Sequence, residues 1–184
     1  MNQDQARKIS KNSTKVRNLY KHMLATEAAM ISLAKHFGED DEKWGMAGLL
    51  HDIDYDATKD DFESHGRISA EKLRELGLDD DIVDAVSRHP GHDDNPPQTR
   101  MDWALYAVDP LTGLIVSAAL IHPDKKLSSI DTQFVLNRFG EKRFAAGANR
   151  EQIAECEDKL GIKLEKFIEI SLEGMQDISD ELGL

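Results

Sequence analysis

His51 and Asp52 close a segment, Trp44-Gly45-Met46-Ala47-Gly48-Leu49-Leu50, made almost wholly of apolar and small residues. A carboxylate at the end of an apolar segment is costly unless a cation or hydrogen bonds meet it, and imidazole is the commonest protein ligand of a metal. An apolar helix that ends in His-Asp therefore asks for a metal. His22 stands 29 residues earlier amid Leu19, Tyr20 and Met23, and Asp109 stands 57 residues after Asp52 amid Tyr106, Ala107, Val108 and Leu111. A mixed imidazole and carboxylate set suits manganese, iron, cobalt, nickel or zinc, whereas calcium prefers oxygen alone. A divalent transition metal ion bound there would lower the pKa of a bound water and neutralise nearby negative charge.

The elements that must carry these residues read as helices. Val16, Leu19, Tyr20, Met23, Leu24, Ile31, Ala34 and Phe37 recur at spacings of three and four, which predicts one amphipathic helix over Ser13–Phe37, ended by Gly38. Further helices are expected over Glu42–His51, Ser64–Leu76, Asp79–His89, Met101–Ala119 with a kink or break at Pro110, Ile130–Phe139, Asn149–Leu160 and Leu164–Leu182. Sustained alternation is absent, so the expectation is an all-α, single-domain helical bundle over residues 1–184. Its metal-site core covers about 13–120, and C-terminal helices over about 130–182 pack on it.

Composition narrows the partners. The 184 residues carry a formal net charge of −12, which repels phosphate backbones and anionic lipid, so neither a nucleic-acid duplex nor a membrane is an expected partner. The single cysteine, Cys156, cannot form an internal disulfide. Leu111–Ile121 is about half of what a bilayer crossing needs, and Met1-Asn2-Gln3-Asp4-Gln5 lacks the apolar core of a signal peptide. A cytoplasmic location is the expectation.

His22, then Ala47-Gly48-Leu49-Leu50-His51-Asp52-Ile53-Asp54, then Ala107-Val108-Asp109-Pro110-Leu111 resembles the HD superfamily of metal-dependent phosphohydrolases. The resemblance implies that His22, His51, Asp52 and Asp109 converge on a divalent metal inside a helical bundle. His65 and His89 fall where a dinuclear branch of the superfamily has two more ligands, with the Asp of the doublet bridging two metals. Leu111-Thr112-Gly113-Leu114 and Phe144-Ala145-Ala146-Gly147 extend the likeness to an uncharacterised group of HD hydrolases. Some family members carry an essential acid at the offset of Asp56, which makes it the candidate proton donor or water-orienting group beside Asp52. Tyr55 departs from the glutamate of several nucleotide-cleaving relatives.

The expected activity is hydrolysis of a small phosphorylated molecule, a phosphomonoester or phosphodiester, with Arg88, Lys125 and Lys126 as candidate phosphate partners. Two rivals share the ligand pattern: a mixed-valent diiron oxygenase of the same superfamily, and a non-catalytic HD-fold signalling or scaffold domain. Oxygenases resembling inositol oxygenase carry a lysine soon after the doublet, where this chain has Tyr55 and Asp56; scaffold domains usually lose ligands, and none is missing here. His36, His92 and His122 are read as bystanders, with His92 free to approach a substrate from its proline-rich loop.

Overall fold

The computed structural model describes residues 1–184 and is all-α. Helix α1 (Gln3–Ser13) starts in a capping box, in which the Asn2 side chain accepts from the Gln5 N–H and Gln5 reaches back to Asn2. Helix α2 (Arg17–Phe37) follows only after a break. The single helix expected from Ser13 therefore begins later, because Thr14 is extended and its hydroxyl accepts the Val16 N–H at 2.9 Å instead of leaving that group to a helix. α1 itself was not read from the sequence. It is held by Arg7, which lies 3.1 Å from the buried Glu27 of α2 and 3.0 Å from Glu181.

Met23 to Met30 are buried without interruption, so α2 is the central element. It is enclosed by α3 (Asp41–Leu50), α7 (Arg100–Ile121) and α10 (Leu164–Asp177). Two glycines permit the close approach. A Cβ at Gly48 would lie 2.7 Å from the Thr26 carbonyl oxygen, and one at Gly174 would lie 2.6 Å from that of Ala28. Gly48→Ala should therefore push α3 off α2 and destabilise the fold by about 1–3 kcal/mol, the range for overpacked cores. A urea midpoint equal to wild type would show that the backbones can separate without cost.

The remaining elements are the single turn α4 (Tyr55–Thr58), α5 (Arg67–Glu75), α6 (Asp80–Arg88), α8 (Thr132–Gly140), α9 (Arg150–Leu160) and the short α11 (Ser179–Leu182). Leu164–Leu182, expected as one helix, divides at Ile178. Pro110 does not break α7. Proline removes the donor that would serve the Tyr106 carbonyl four residues back, and Gln152 of α9 supplies its side-chain N–H there instead, at 2.6 Å. Left whole, α7 runs 22 residues and is long and apolar enough to span a bilayer by composition, well beyond the Leu111–Ile121 stretch. Yet 56% of that window is buried inside the protein, as befits a core helix.

Candidate metal centre

The interior ends of these helices deliver six side chains to one place. His22 comes from the second turn of α2, His51 and Asp52 from the C-terminal end of α3, His65 from the turn before α5, His89 from the end of α6 and Asp109 from the middle of α7. His22 Nε2 and His51 Nε2 are 3.2 Å apart, with Asp109 Oδ1 at 3.0 Å from the first and 3.7 Å from the second. His65 Nε2 and His89 Nε2 are likewise 3.2 Å apart.

Asp52 stands between the two histidine pairs. Its Oδ2 lies 3.7 Å from His22 Nε2 and 3.5 Å from His51 Nε2, while its Oδ1 lies 3.3 Å from His65 Nε2 and 3.6 Å from His89 Nε2. Each carboxylate oxygen thus faces a different pair of imidazoles.

The opposite edge of every ring is already employed. His51 Nδ1 is 2.8 Å from the Gly48 carbonyl, His89 Nδ1 is 2.6 Å from that of Val86, and His65 Nδ1 is 2.9 Å from Asp54 Oδ1. His22 Nδ1 is 3.1 Å from the Thr112 hydroxyl, which donates its own proton to the Asp109 carbonyl at 2.9 Å. Acceptors at all four Nδ1 atoms assign the ring proton there and turn the Nε2 lone pairs toward each other. Lone pairs 3.2 Å apart repel unless a proton or a cation lies between them, so this donor set fits a divalent metal.

Charge follows the same geometry. Burial opposes a charge on His51, but Asp52 and Asp109 outweigh it and push the imidazole up to about 9. His65, against the same opposition from burial, is pushed up to about 10 by Asp52 and Asp54. His89 goes the other way, lowered by burial and by the neighbouring His51 and His65. Burial favours the neutral form of Asp52 and Asp109 too, yet the imidazoles hold both carboxyls well below their usual range. The acids thus favour positive charge at His51 and His65, and a divalent cation taken up there would compete with protons for the same ring nitrogens.

Three outer residues were not recognised as such in the sequence. Asp54, the acid two residues past Asp52, is buried, and its Oδ2 accepts the N–H groups of Gly66 and Ser69, both at 2.9 Å. It thereby caps α5, whose own cap position is a glycine. His92, read as a solvated loop residue, is also buried and lies with Nε2 2.9 Å from the His65 carbonyl. Thr112 is the third. The signals available were an acid two residues past the doublet and a hydroxyl three residues past Asp109, neither of which specifies its partner.

Four other expectations need correction. Asp56 is exposed, and its carboxylate accepts from the Thr14 hydroxyl at 3.0 Å and the Lys15 N–H at 3.3 Å, fastening the α1–α2 link instead of facing the cluster. Asp56→Asn should accordingly leave metal content and turnover unchanged. A fall of about 10²-fold, the scale of a lost general acid or base, would return Asp56 to the reaction. Arg88 is engaged by Asp84 at 3.0 Å and the buried Asp102 at 2.9 Å, which tie α6 to α7. Lys125 and Lys126 follow the C-terminal end of α7, about 18 Å along its axis from Asp109 at 1.5 Å per residue. None of these three cations faces the cluster.

A cavity of about 340 Å³ opens over the cluster, bounded by Leu19, His22, Asp52, Tyr55, His65 and Asp109. An all-α bundle whose buried His and Asp side chains can hold a divalent metal defines the class of protein. More particularly, the chain belongs to the HD domain family, which matches residues 19–122. It is similar to ribonuclease Y of Nitratidesulfovibrio vulgaris, 32% identical over 96 residues that make up 52% of this chain and 18% of that protein. The ribonuclease Y of a Roseiflexus species is 34% identical over 108 residues, 57% of this chain and 20% of the relative. That of Desulfotalea psychrophila is 30% identical over 139 residues, 73% and 26% respectively. The chain thus spans no more than about a quarter of the length of these curated relatives. No solved structure matches it.

Proposed function

We propose that the chain is a metal-dependent phosphohydrolase whose substrate is a small phosphorylated molecule, with a phosphodiester preferred over a monoester. The observation that carries this reading is Asp52, one oxygen toward His22 and His51 and the other toward His65 and His89. His22, His51 and Asp109 would hold one divalent ion, His65 and His89 the other, and Asp52 would serve both. Bound there, the ions would supply Lewis acidity toward a phosphoryl oxygen and a water acidic enough to attack at neutral pH. The chain's own part is to fix the rings through Gly48, Val86, Asp54 and Thr112, and to admit substrate through the opening beside Tyr55 and Leu19. The ribonuclease Y relatives are named for cleavage of RNA, which favours a phosphodiester. A net charge of −12 and the exposed acids Asp60 and Asp61 favour a small diester over a long polyanion.

The test is product release from a panel of phosphomonoesters, phosphodiesters and oligoribonucleotides, with manganese or nickel added. At least one small diester should be cleaved. An iron-loaded sample that consumes oxygen with an organic substrate and cleaves no phosphoester would overturn the reading in favour of an oxygenase, and cleavage of oligoribonucleotides alone would overturn the small-substrate part.

A further inference from the structure

His22 has a second cavity on its other side. A space of about 280 Å³ lies between α2, α7 and α11, walled by Val116 and Leu120 of α7 and Leu182 of α11. Its polar side chains besides His22 are Asn18 and Lys21, Gly183 and Leu184 close one end, and no Asp or Glu lines it, although the chain carries 35 acidic residues. The Lys21 ammonium donates to the Leu182 carbonyl and so ties α2 to the turn after α11. Gly113 contributes no side chain to the wall, and a Cβ built there meets nothing within 4 Å. The volume exceeds the about 150 Å³ of a cavity that binds benzene.

We infer that this cavity is the subsite for an uncharged, apolar group of the substrate, an aryl or branched alkyl ester arm carried on the phosphate that reacts at the metal centre. The inference rests on the phosphohydrolase reading given above. It commits to that occupant because His22 borders both spaces and the same stretches of α2 and α7 run from one to the other, with Leu19 and Asp109 on the opening and Asn18 and Gly113 on the cavity. A phosphodiester with its phosphorus at the cluster can then extend one arm into each space. Leu120 is half exposed at the rim, so an arm entering there covers apolar surface now facing water. Lys21 offers the one ammonium in a wall without Asp or Glu and would face the anionic end of the same molecule.

The experiment compares bis(4-nitrophenyl) phosphate with methyl 4-nitrophenyl phosphate, which share a leaving group and differ only in the arm that stays. Wild type should favour the aryl ester in kcat/KM by about tenfold or more, the scale on which apolar pockets discriminate. Gly113→Leu fills the cavity from a position with free space and good helix propensity, and Leu120→Glu places a carboxylate at the rim on an exposed residue; both should bring the ratio toward one. No preference in wild type, or a preference that both variants retain, would overturn the subsite. If wild type cleaves neither ester, the failure lies with the phosphohydrolase reading for these two diesters and not with the subsite. The subsite is then decided by fluorescence titration of metal-free protein with 1-anilinonaphthalene-8-sulfonate, an aryl anion. About tenfold weaker binding by both variants supports the subsite, and unchanged binding overturns it.

Discussion

Asp52→Asn is expected to strip the centre of most of its metal and to lower turnover by more than the about 10- to 100-fold that follows loss of an outer partner of a metal ligand. The reason lies in what each oxygen faces. With one carboxylate shared by four imidazoles, the substitution removes a negative charge from both histidine pairs at once, and no other acid takes its place, since Asp109 Oδ1 approaches only His22 and His51. An amide keeps the shape of the side chain, so the fold should persist. Elemental analysis after a fixed loading protocol, read beside the melting temperature, separates these effects. Full metal content with turnover near wild type would show that Asp52 is a bystander in the cluster.

The second large effect is expected at Asp54, which has no place among the six inner residues. Asp54→Ala leaves the N–H groups of Gly66 and Ser69 without their acceptor and the Nδ1 of His65 with only the Thr58 hydroxyl, 3.2 Å away. A buried donor left unpaired costs about 1–3 kcal/mol, so with two such donors the variant should lose at least about 2 kcal/mol and hold metal at the His65 and His89 end about 10- to 100-fold more weakly. The pH dependence has a definite sign. Burial raises the Asp54 carboxyl, but His65 and the Ser69 N–H outweigh it and the net shift is downward. A carboxyl with a folded pKa below its unfolded value stabilises the fold above about pH 4 and loses that contribution as pH falls through the folded pKa. The stability gap between wild type and Asp54→Ala should therefore narrow in acid. A gap that stays constant from pH 7 to pH 3 would assign the loss to packing alone.

The chemistry-bearing residues were legible because ligand chemistry restricts residue type, and because His51-Asp52 ends an apolar segment where an unpaired carboxylate would be costly. The helices were legible wherever apolar residues kept a spacing of three and four. What was not legible depended on distant partners. Pro110 reads as a helix break until Gln152 supplies the missing donor from α9. Asp54 and Asp56 are both acids in one turn, and only the fold turns the first inward to cap α5 and the second outward to the Thr14–Lys15 link. Arg88 next to His89 suggests a phosphate contact, but adjacent residues on a helix diverge by about 100°, and Arg88 meets Asp102 while His89 turns inward. His92 in a proline-rich loop carries no sign in its neighbours that it will be buried against the backbone of His65.

The central claim is that Asp52 serves two ions, one with His22, His51 and Asp109 and one with His65 and His89. Metal content per chain tests it most directly, measured on wild type, His65→Ala and His89→Ala saturated with manganese under one protocol. Wild type should hold about two ions and each variant about one, since the first ligand group survives both substitutions while the second loses half of its imidazoles. A wild-type value that saturates near one, unchanged in the two variants, would contradict it and leave His65 and His89 as supports of a mononuclear centre.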